Sequence, residues 1–330
     1  MTVTGPFGLH VPDPTLEQDV RAGMAAVEQM LHDATKSDYP FVTQTSRHLV
    51  DAGGKRFRPL LVLLAAQFGD PAAPGVVPSA VVCELTHLAT LYHDDVMDEA
   101  ALRRGAPSAN ARWDNTVAIL TGDFLFARAS EITADLGTEA TRILARTIAV
   151  LCQGQIRETV GPQAGEDPVE HHLRVLAEKT GSLIATSGHL GALLSGGTPE
   201  QVRALTSYGD LIGVAFQLSD DLIDLSSASA DSGKTPGTDL REGIATLPVL
   251  LALASDETSP ELRSLLSAPV ADADVPRVLD ELGAHPAMAE ARATVLRWAG
   301  QAEETLAALP ATPACESLTA LTGFVVDRIG

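Results

Sequence analysis

Residues 81–98 read VVCELTHLATLYHDDVMD, and residues 211–224 read LIGVAFQLSDDLID. Each stretch is an apolar run of helical character that ends in three carboxylates: Asp94, Asp95 and Asp98 in the first, Asp220, Asp221 and Asp224 in the second. On a helix Asp94 and Asp98 stand one turn apart on the same face, and like charges at that spacing repel. They also fall at the C-terminal end, where the helix dipole is already negative. Three carboxylates there are unfavourable unless a cation joins them. Magnesium suits the need: it is a hard ion that takes one or two carboxylates and completes its shell with phosphate oxygens and water. One such cluster in an acidic chain can equally be a solvated helix end. Two copies in the same context point to divalent ions held around one diphosphate.

The rest of the chain agrees with a helical enzyme of small anions. Its 330 residues carry 23 Lys and Arg against 43 Asp and Glu, a formal charge of −20. That excludes a nucleic-acid partner, which requires a basic footprint, and docking on anionic lipid. Hydrophobic residues make up 45%, too many for a disordered acidic tail, while aromatics are only 4%. An Ala-, Leu- and Val-rich chain poor in aromatics favours helices over a β-sandwich or barrel. Length alone suggests about two domains, but no linker divides the sequence. The expectation is a Gly- and Pro-rich flexible leader over residues 1–14 and one all-α domain over 15–330. Cys83, Cys152 and Cys315 are too scattered for a disulfide framework or a zinc site, and the first two read as small buried hydrophobes. The N-terminus lacks a signal-peptide pattern, and the longest apolar run, near Leu60–Ala66, is far short of the ~18 residues that span a bilayer. A soluble, cytoplasmic protein without membrane insertion is expected.

Helical periodicity starts near Thr15, a candidate N-cap. Pro59–Phe68 is almost wholly apolar and predicts a helix buried on most sides. Further helices are expected at 79–97, 113–135, 138–160, 168–194 and 199–225, and again after Asp239. Loops are expected around Arg104–Ser108 and Ser226–Thr238. No stretch shows convincing strand alternation.

A diphosphate also needs fixed positive charge. Gly53-Gly54-Lys55-Arg56-Phe57-Arg58-Pro59 supplies it: the glycines permit close backbone approach, Lys a point charge, and Arg a planar fork matched to phosphate oxygens. Arg103-Arg104-Gly105 follows the first acidic cluster across a tight turn, where adjacent arginines can point to opposite sides. Lys179-Thr180, and Lys234 in the loop after the second cluster, complete the set. His87 lies seven residues before Asp94, and Gln217 three before Asp220, each on the face of its cluster.

With these residues in place the chain resembles the trans-prenyl diphosphate synthases (polyprenyl synthetases). The resemblance runs from about Gly53 to Pro248, where GGKRFRP, LYHDDVMDEAALRRGAPSAN, GDFLFARA, EKTGSL, FQLSDDLIDL, GKTPGTDLREG and TLP occur in the family's order. It implies the all-α isoprenoid synthase fold, helices around a deep central cavity, and a homodimer. It also implies three magnesium ions per active site, bound by Asp94, Asp95, Asp98, Asp220, Asp221 and Asp224. By the same resemblance Lys55, Arg58, His87 and Arg104 hold isopentenyl diphosphate. Arg103, Lys179, Gln217 and Lys234 hold the allylic diphosphate, with Thr180 beside the reacting carbon. The implied catalytic set is Asp94, Asp95, Asp98, Lys179 and Asp220. One departure stands out: where the family commonly has a lysine before the TLP turn, this chain has Ile244.

Residues one to three turns before Asp94, namely Thr90, Ala89, Thr86 and Cys83, are small. Short-product relatives commonly place a bulky aromatic where Ala89 stands, so a product of geranylgeranyl length or longer is expected. A terpene cyclase of the same fold and a non-catalytic helper subunit of a two-component prenyl synthase are the competing readings. The second aspartate cluster and GGKRFRP argue against the cyclase, and the two intact aspartate clusters argue against the helper subunit.

Overall fold

The computed structural model describes residues 13–226 and 236–329. Lys234, residues 1–12 of the expected leader and most of the expected loop at Ser226–Thr238 lie outside the described residues. What is described is all-α apart from one small hairpin. The chain divides into two compact units. One comprises the residues up to Ala149, Leu183–Gly209 and Leu306–Ala320; the other Val150–Ser182, Asp210–Thr305 and the residues from Leu321.

In the first unit lie α1 (Pro14–Ala34), α2 (Pro40–Asp51), α3 (Phe57–Ala66) and α4 (Val76–Met97). They are followed by the hairpin β1 (Leu102–Arg103) and β2 (Ala106–Pro107), α5 (Ala109–Arg112) and α6 (Asn115–Leu136). α1 opens two residues earlier than expected. Asp13, not Thr15, is the N-cap and accepts from Leu16 N at 2.8 Å, because Pro14 fits the first helical position, where no N–H is needed. α3 is buried along Pro59–Ala66, as its unbroken apolar sequence requires. The core of this unit packs α4 against α1, α3 and α6 through Val27, Leu31, Val62, Leu85, Leu88, Ala89 and Leu125. Each such fully buried Val or Leu side chain contributes roughly 1.5–3 kcal/mol. The α4–α6 seam is set by Gly122, where a Cβ would stand 2.4 Å from His93 Nε2 and 3.1 Å from the Ala89 carbonyl oxygen. A side chain here would require the His93 ring to shift and the Ala89 carbonyl to give way, so glycine suits the close approach of α6 to the turn of α4 that carries the first carboxylates.

α7 (Thr138–Val160), α9 (Ser182–Leu194), α10 (Pro199–Asp224), α15 (Pro286–Leu306) and α16 (Pro313–Asp327) have residues in both units. The second unit also holds α8 (Pro168–Leu176), α11 (Thr238–Glu242), α12 (Leu247–Ala254), α13 (Pro260–Leu266) and α14 (Val275–Ala284). Its core gathers Val214, Leu218, Leu222, Leu247, Val249, Val278 and Val295.

Three expectations need correction. The single helix expected over 168–194 is interrupted by a π-helical turn at Ala177–Gly181. The loop expected at Arg104–Ser108 begins as a hairpin, because two residues with positive φ close it. Cys83 is buried, and burial pushes its thiol up to about 11, but Cys152 is exposed: α7 buries its neighbour Leu151 and turns position 152 outward. Among the described residues no helix is long and apolar enough to cross a membrane.

Candidate active site

α4 runs to Met97, and Asp98 is its C-cap, its N–H donating to the Asp94 carbonyl at 2.8 Å. Asp94 is half-buried, Asp95 buried and Asp98 exposed. Burial raises the Asp95 carboxyl above its ordinary pKa, with Arg103 opposing. Oδ1 of Asp95 accepts from Arg103 Nε at 2.6 Å, while its Oδ2 is buried with no hydrogen-bond partner. Arg103 Nη2 also stands 3.9 Å from Asp98 Oδ2. Arg103 therefore rests on the first carboxylate cluster.

The hairpin pairs Arg103 with Ala106, leaving Arg104 and Gly105 as a two-residue loop with φ of 53° and 76°. Positive φ at both positions is what the twist of a two-residue hairpin demands. It sends Arg104 away from Arg103: Arg104 Nη1 donates to the carbonyls of Leu49, at 2.8 Å, and Gly53. The guanidinium lies against Gly54, where φ is 148° and a Cβ would stand 2.8 Å from Arg104 Cζ. The two basic motifs, far apart in sequence, meet here.

Within GGKRFRP the three cations have different surroundings. Lys55 is exposed. Arg56, which received no role from sequence, is buried: Nε and Nη2 bond Glu28 at 2.6 and 3.2 Å, Nη1 bonds Glu84 at 3.0 Å, and Nη2 also bonds the Val50 carbonyl. It ties α1 and α4 to the start of α3. Arg58 has its Nε buried without a hydrogen-bond partner. Burial lowers the Arg58 pKa, Glu84 and Cys83 oppose, and Arg104 lowers it further. Arg104 is likewise lowered by burial, with Glu84 opposing. His87 is held well below its ordinary 6.5, first by burial and then by Arg58, Arg104, Arg103 and Arg56, so it is a neutral donor at neutral pH. Glu84, only 2% exposed, is the common counter-charge of Arg56, Arg58 and Arg104. Sequence reasoning passed over it as one polar residue in an apolar helix.

In the second unit α10 ends at Asp224. Arg328 Nη2 donates to Asp220 Oδ1, and the guanidinium lies 5.0 Å from the Phe216 ring centre. Asp221 is buried: Gln217 Nε2 donates to its Oδ1 at 3.1 Å, and its Oδ2 is without a hydrogen-bond partner. His172 Nε2 stands 3.5 Å from that oxygen. Asp224 accepts from the backbone N–H groups of Thr238 and Asp239 at 3.2 and 3.0 Å, which pins the chain's return into α11. Thr180 Oγ1 donates to Gln217 Oε1 at 3.4 Å, and Lys179 Nζ donates to Glu158 at 2.6 Å. Lys179 and Thr180 both sit in the π-helical turn, a local form that recurs at functional sites. Ile244 is exposed. Sequence reasoning found neither Arg328 nor His172. The available signal for His172 was its position seven residues before Lys179, two helical turns away.

Among the described residues no group of three Asp, Glu, His or Cys side chains is placed to hold a metal ion. What fits magnesium is the donor chemistry. Asp95 Oδ2 and Asp221 Oδ2 are buried carboxylate oxygens with no hydrogen-bond partner, a costly condition that a cation relieves. An ion that uses one or two carboxylates and fills its shell from phosphate and water asks for no preformed cage.

Comparison with known proteins bears on the fold and the family. The chain is 49% identical over 328 residues to a nonaprenyl diphosphate synthase of Mycobacterium tuberculosis, covering 98% of this chain and 97% of that protein. Its fold superposes on geranylgeranyl pyrophosphate synthase from Corynebacterium glutamicum complexed with calcium and isoprenyl diphosphate. The TM-score there is 0.87 and the identity 46%, over 97% of this chain and 99% of that one. A decaprenyl diphosphate synthase from Rhodobacter capsulatus gives the same TM-score at 35% identity, over 96% and 99%. The all-α frame is thus the isoprenoid synthase fold. Because the polyprenyl synthetase model matches residues 39–282, the stretch that holds both aspartate clusters and both basic motifs, the chain belongs to the polyprenyl synthetase family and is a transferase.

Proposed function

We propose that this protein is a magnesium-dependent trans-prenyltransferase. It joins isopentenyl diphosphate head-to-tail to an allylic prenyl diphosphate and releases a polyprenyl diphosphate of geranylgeranyl length or longer. The observation that carries this reading is a buried, unpartnered carboxylate oxygen in each helix-end aspartate cluster, Asp95 Oδ2 and Asp221 Oδ2. The clusters are Asp94, Asp95 and Asp98 with Asp220, Asp221 and Asp224; by the family resemblance each would hold magnesium, three ions in all. When bound, those ions stabilise the charge of the departing diphosphate.

Lys55, Arg58, His87 and Arg104 bind isopentenyl diphosphate. The bare Nε of Arg58 is a donor in waiting, and His87, held neutral, donates without adding charge. Arg103, Lys179, Gln217 and Lys234 bind the allylic diphosphate, with Thr180 beside the reacting carbon. Arg103 rests on Asp95 and Lys179 on Glu158, so diphosphate binding would exchange one anionic partner for another. The allylic carbon is attacked by the isopentenyl double bond. The proton then lost goes to the departing diphosphate, so no side-chain base is assigned. Cys83, Thr86 and Ala89 are buried and Thr90 half-buried along α4, and this stripe of small side chains is the assigned path of the lengthening chain. Relatives named for geranylgeranyl, nonaprenyl and decaprenyl products support that range. We read residues 15–330 as one catalytic domain acting in the cytoplasm as a homodimer. Ile119 and Leu120 of α6, 42% and 61% exposed, are apolar surface suited to a second copy.

Asp94→Ala and Asp220→Ala should each abolish condensation measured with magnesium; near-normal turnover in both would overturn the reading. Incubation with an allylic diphosphate alone should give no product, whereas a terpene cyclase would cyclise it. Activity of the purified single chain excludes a helper subunit.

A further inference from the structure

The buried carboxylate Asp221 is fixed on one side and open on the other. Thr180 Oγ1 donates to Gln217 Oε1, which orients the amide so that Nε2 donates to Asp221 Oδ1 at 3.1 Å. Oδ2 has no hydrogen-bond partner, and His172 Nε2, buried and likewise without a hydrogen bond, stands 3.5 Å from it. The two side chains are 12% and 7% exposed, so water offers little compensation to either atom. Two adjacent buried polar groups left unsatisfied each carry a desolvation cost that one hydrogen bond between them removes. The gap is about half an ångström longer than a good N–H···O bond. Bonds of this kind commonly tighten only when a site is loaded.

We infer that His172 is a positioning residue of the second aspartate cluster. With Nε2 protonated, it donates to Asp221 Oδ2 while Gln217 donates to Oδ1, and the two together fix the carboxylate plane. Each oxygen keeps a lone pair for an ion. Hydrogen bonds to ligating carboxylates orient them for the metal, and their loss costs about 10- to 100-fold in metal affinity or activity. The inference rests on the proposed metal role of Asp221. It adds a residue from α8, which links ion binding to the segment that also carries Lys179 and Thr180.

The test compares wild type with His172→Phe, which fills the space without a donor, and His172→Gln, which restores one. Binding of Mn2+ in the presence of inorganic pyrophosphate is measured by titration calorimetry, and unfolding temperature is measured in EDTA. The expected result is about tenfold weaker Mn2+ binding in His172→Phe, recovery to within a few-fold of wild type in His172→Gln, and similar unfolding temperatures for all three. Equal Mn2+ affinity in wild type and His172→Phe overturns the inference, as does failure of His172→Gln to recover. Nitrogen coupling to bound Mn2+ in pulsed electron paramagnetic resonance would make His172 a direct ligand and overturn it as well. If wild type binds no Mn2+ with pyrophosphate, the metal reading of the cluster itself has failed, a distinct outcome.

Discussion

Removing the charge of Glu84 should unsettle the proposed isopentenyl diphosphate region more than removing any cation in it. Glu84 is 2% exposed and Arg56, whose Nη1 it accepts at 3.0 Å, is 5% exposed on its side chain, so solvent screens the pair little. Arg56 stays raised in pKa because Glu28 and Glu84 outweigh the opposing effect of burial, and Glu84 also supports the desolvated Arg58 and Arg104. Breaking a buried pair by removing one partner costs about 3–5 kcal/mol. Glu84→Gln keeps an oxygen for Arg56 Nη1, and a retained hydrogen bond is worth about 1 kcal/mol. Glu28 remains on Arg56 as well. The expected loss is therefore about 2–3 kcal/mol, which for a chain of this size lowers the unfolding temperature by about 3–4 °C. The same change leaves Arg58 and Arg104, the two guanidinium groups proposed to bind isopentenyl diphosphate, without their buried counter-charge. Pyrophosphate should then bind the variant more tightly and recover part of the loss, about 1.4 kcal/mol for each tenfold gain in affinity. Thermal unfolding with and without inorganic pyrophosphate, in EDTA to remove metal, reads both effects. A variant that unfolds within 1 °C of wild type by this measure, or gains no more than wild type from pyrophosphate, would refute the electrostatic account.

Gly54→Ala places a Cβ 2.8 Å from Arg104 Cζ at φ 148°; the Michaelis constant for isopentenyl diphosphate should rise about tenfold or more, with that for the allylic substrate little changed, as steady-state kinetics will show. His87 has its folded pKa depressed below 6.5, so protons favour the unfolded chain: its contribution is fully present above pH 6.5 and is lost as pH falls from there toward the folded value. Urea unfolding of wild type should accordingly weaken below pH 6.5, and His87→Gln should remove that part of the slope. Ala89→Phe should shorten the product in mass spectrometry and cost about 1–3 kcal/mol of stability by overpacking, since Ala89 is fully buried and α6 lies against its carbonyl. Unchanged product length would place the limit of chain growth elsewhere.

Much of this chain is legible in one dimension. The helix ends that carry Asp94–Asp98 and Asp220–Asp224 follow from apolar periodicity and from carboxylate spacing within one turn. The buried α3 follows from an unbroken apolar run, and the close approach at Gly54 from a glycine pair before a basic segment. The direction of the Tyr92 ring relative to the product path is not readable from the sequence. The structure ties its hydroxyl to the Thr45 carbonyl and the Leu49 N–H of α2, and that contact is between helices, beyond the reach of periodicity. The π-helical turn at Ala177–Gly181 was equally hidden, because a single extra residue in a helical ladder leaves no compositional mark.

Residue types, their order and the local geometry of one helix turn were thus settled by the amino-acid sequence: all-α architecture, two acidic helix ends, two basic motifs and a family of enzymes. Which charge answers which was decided only by folding. Arg103 answers Asp95, Arg56 answers Glu28 and Glu84, Arg328 reaches back to Asp220, and Lys179 meets Glu158. The physical reason is that a charge removed from water must find its partner within a few ångströms of space. That distance is set by how helices pack, and sequence separation carries no record of it.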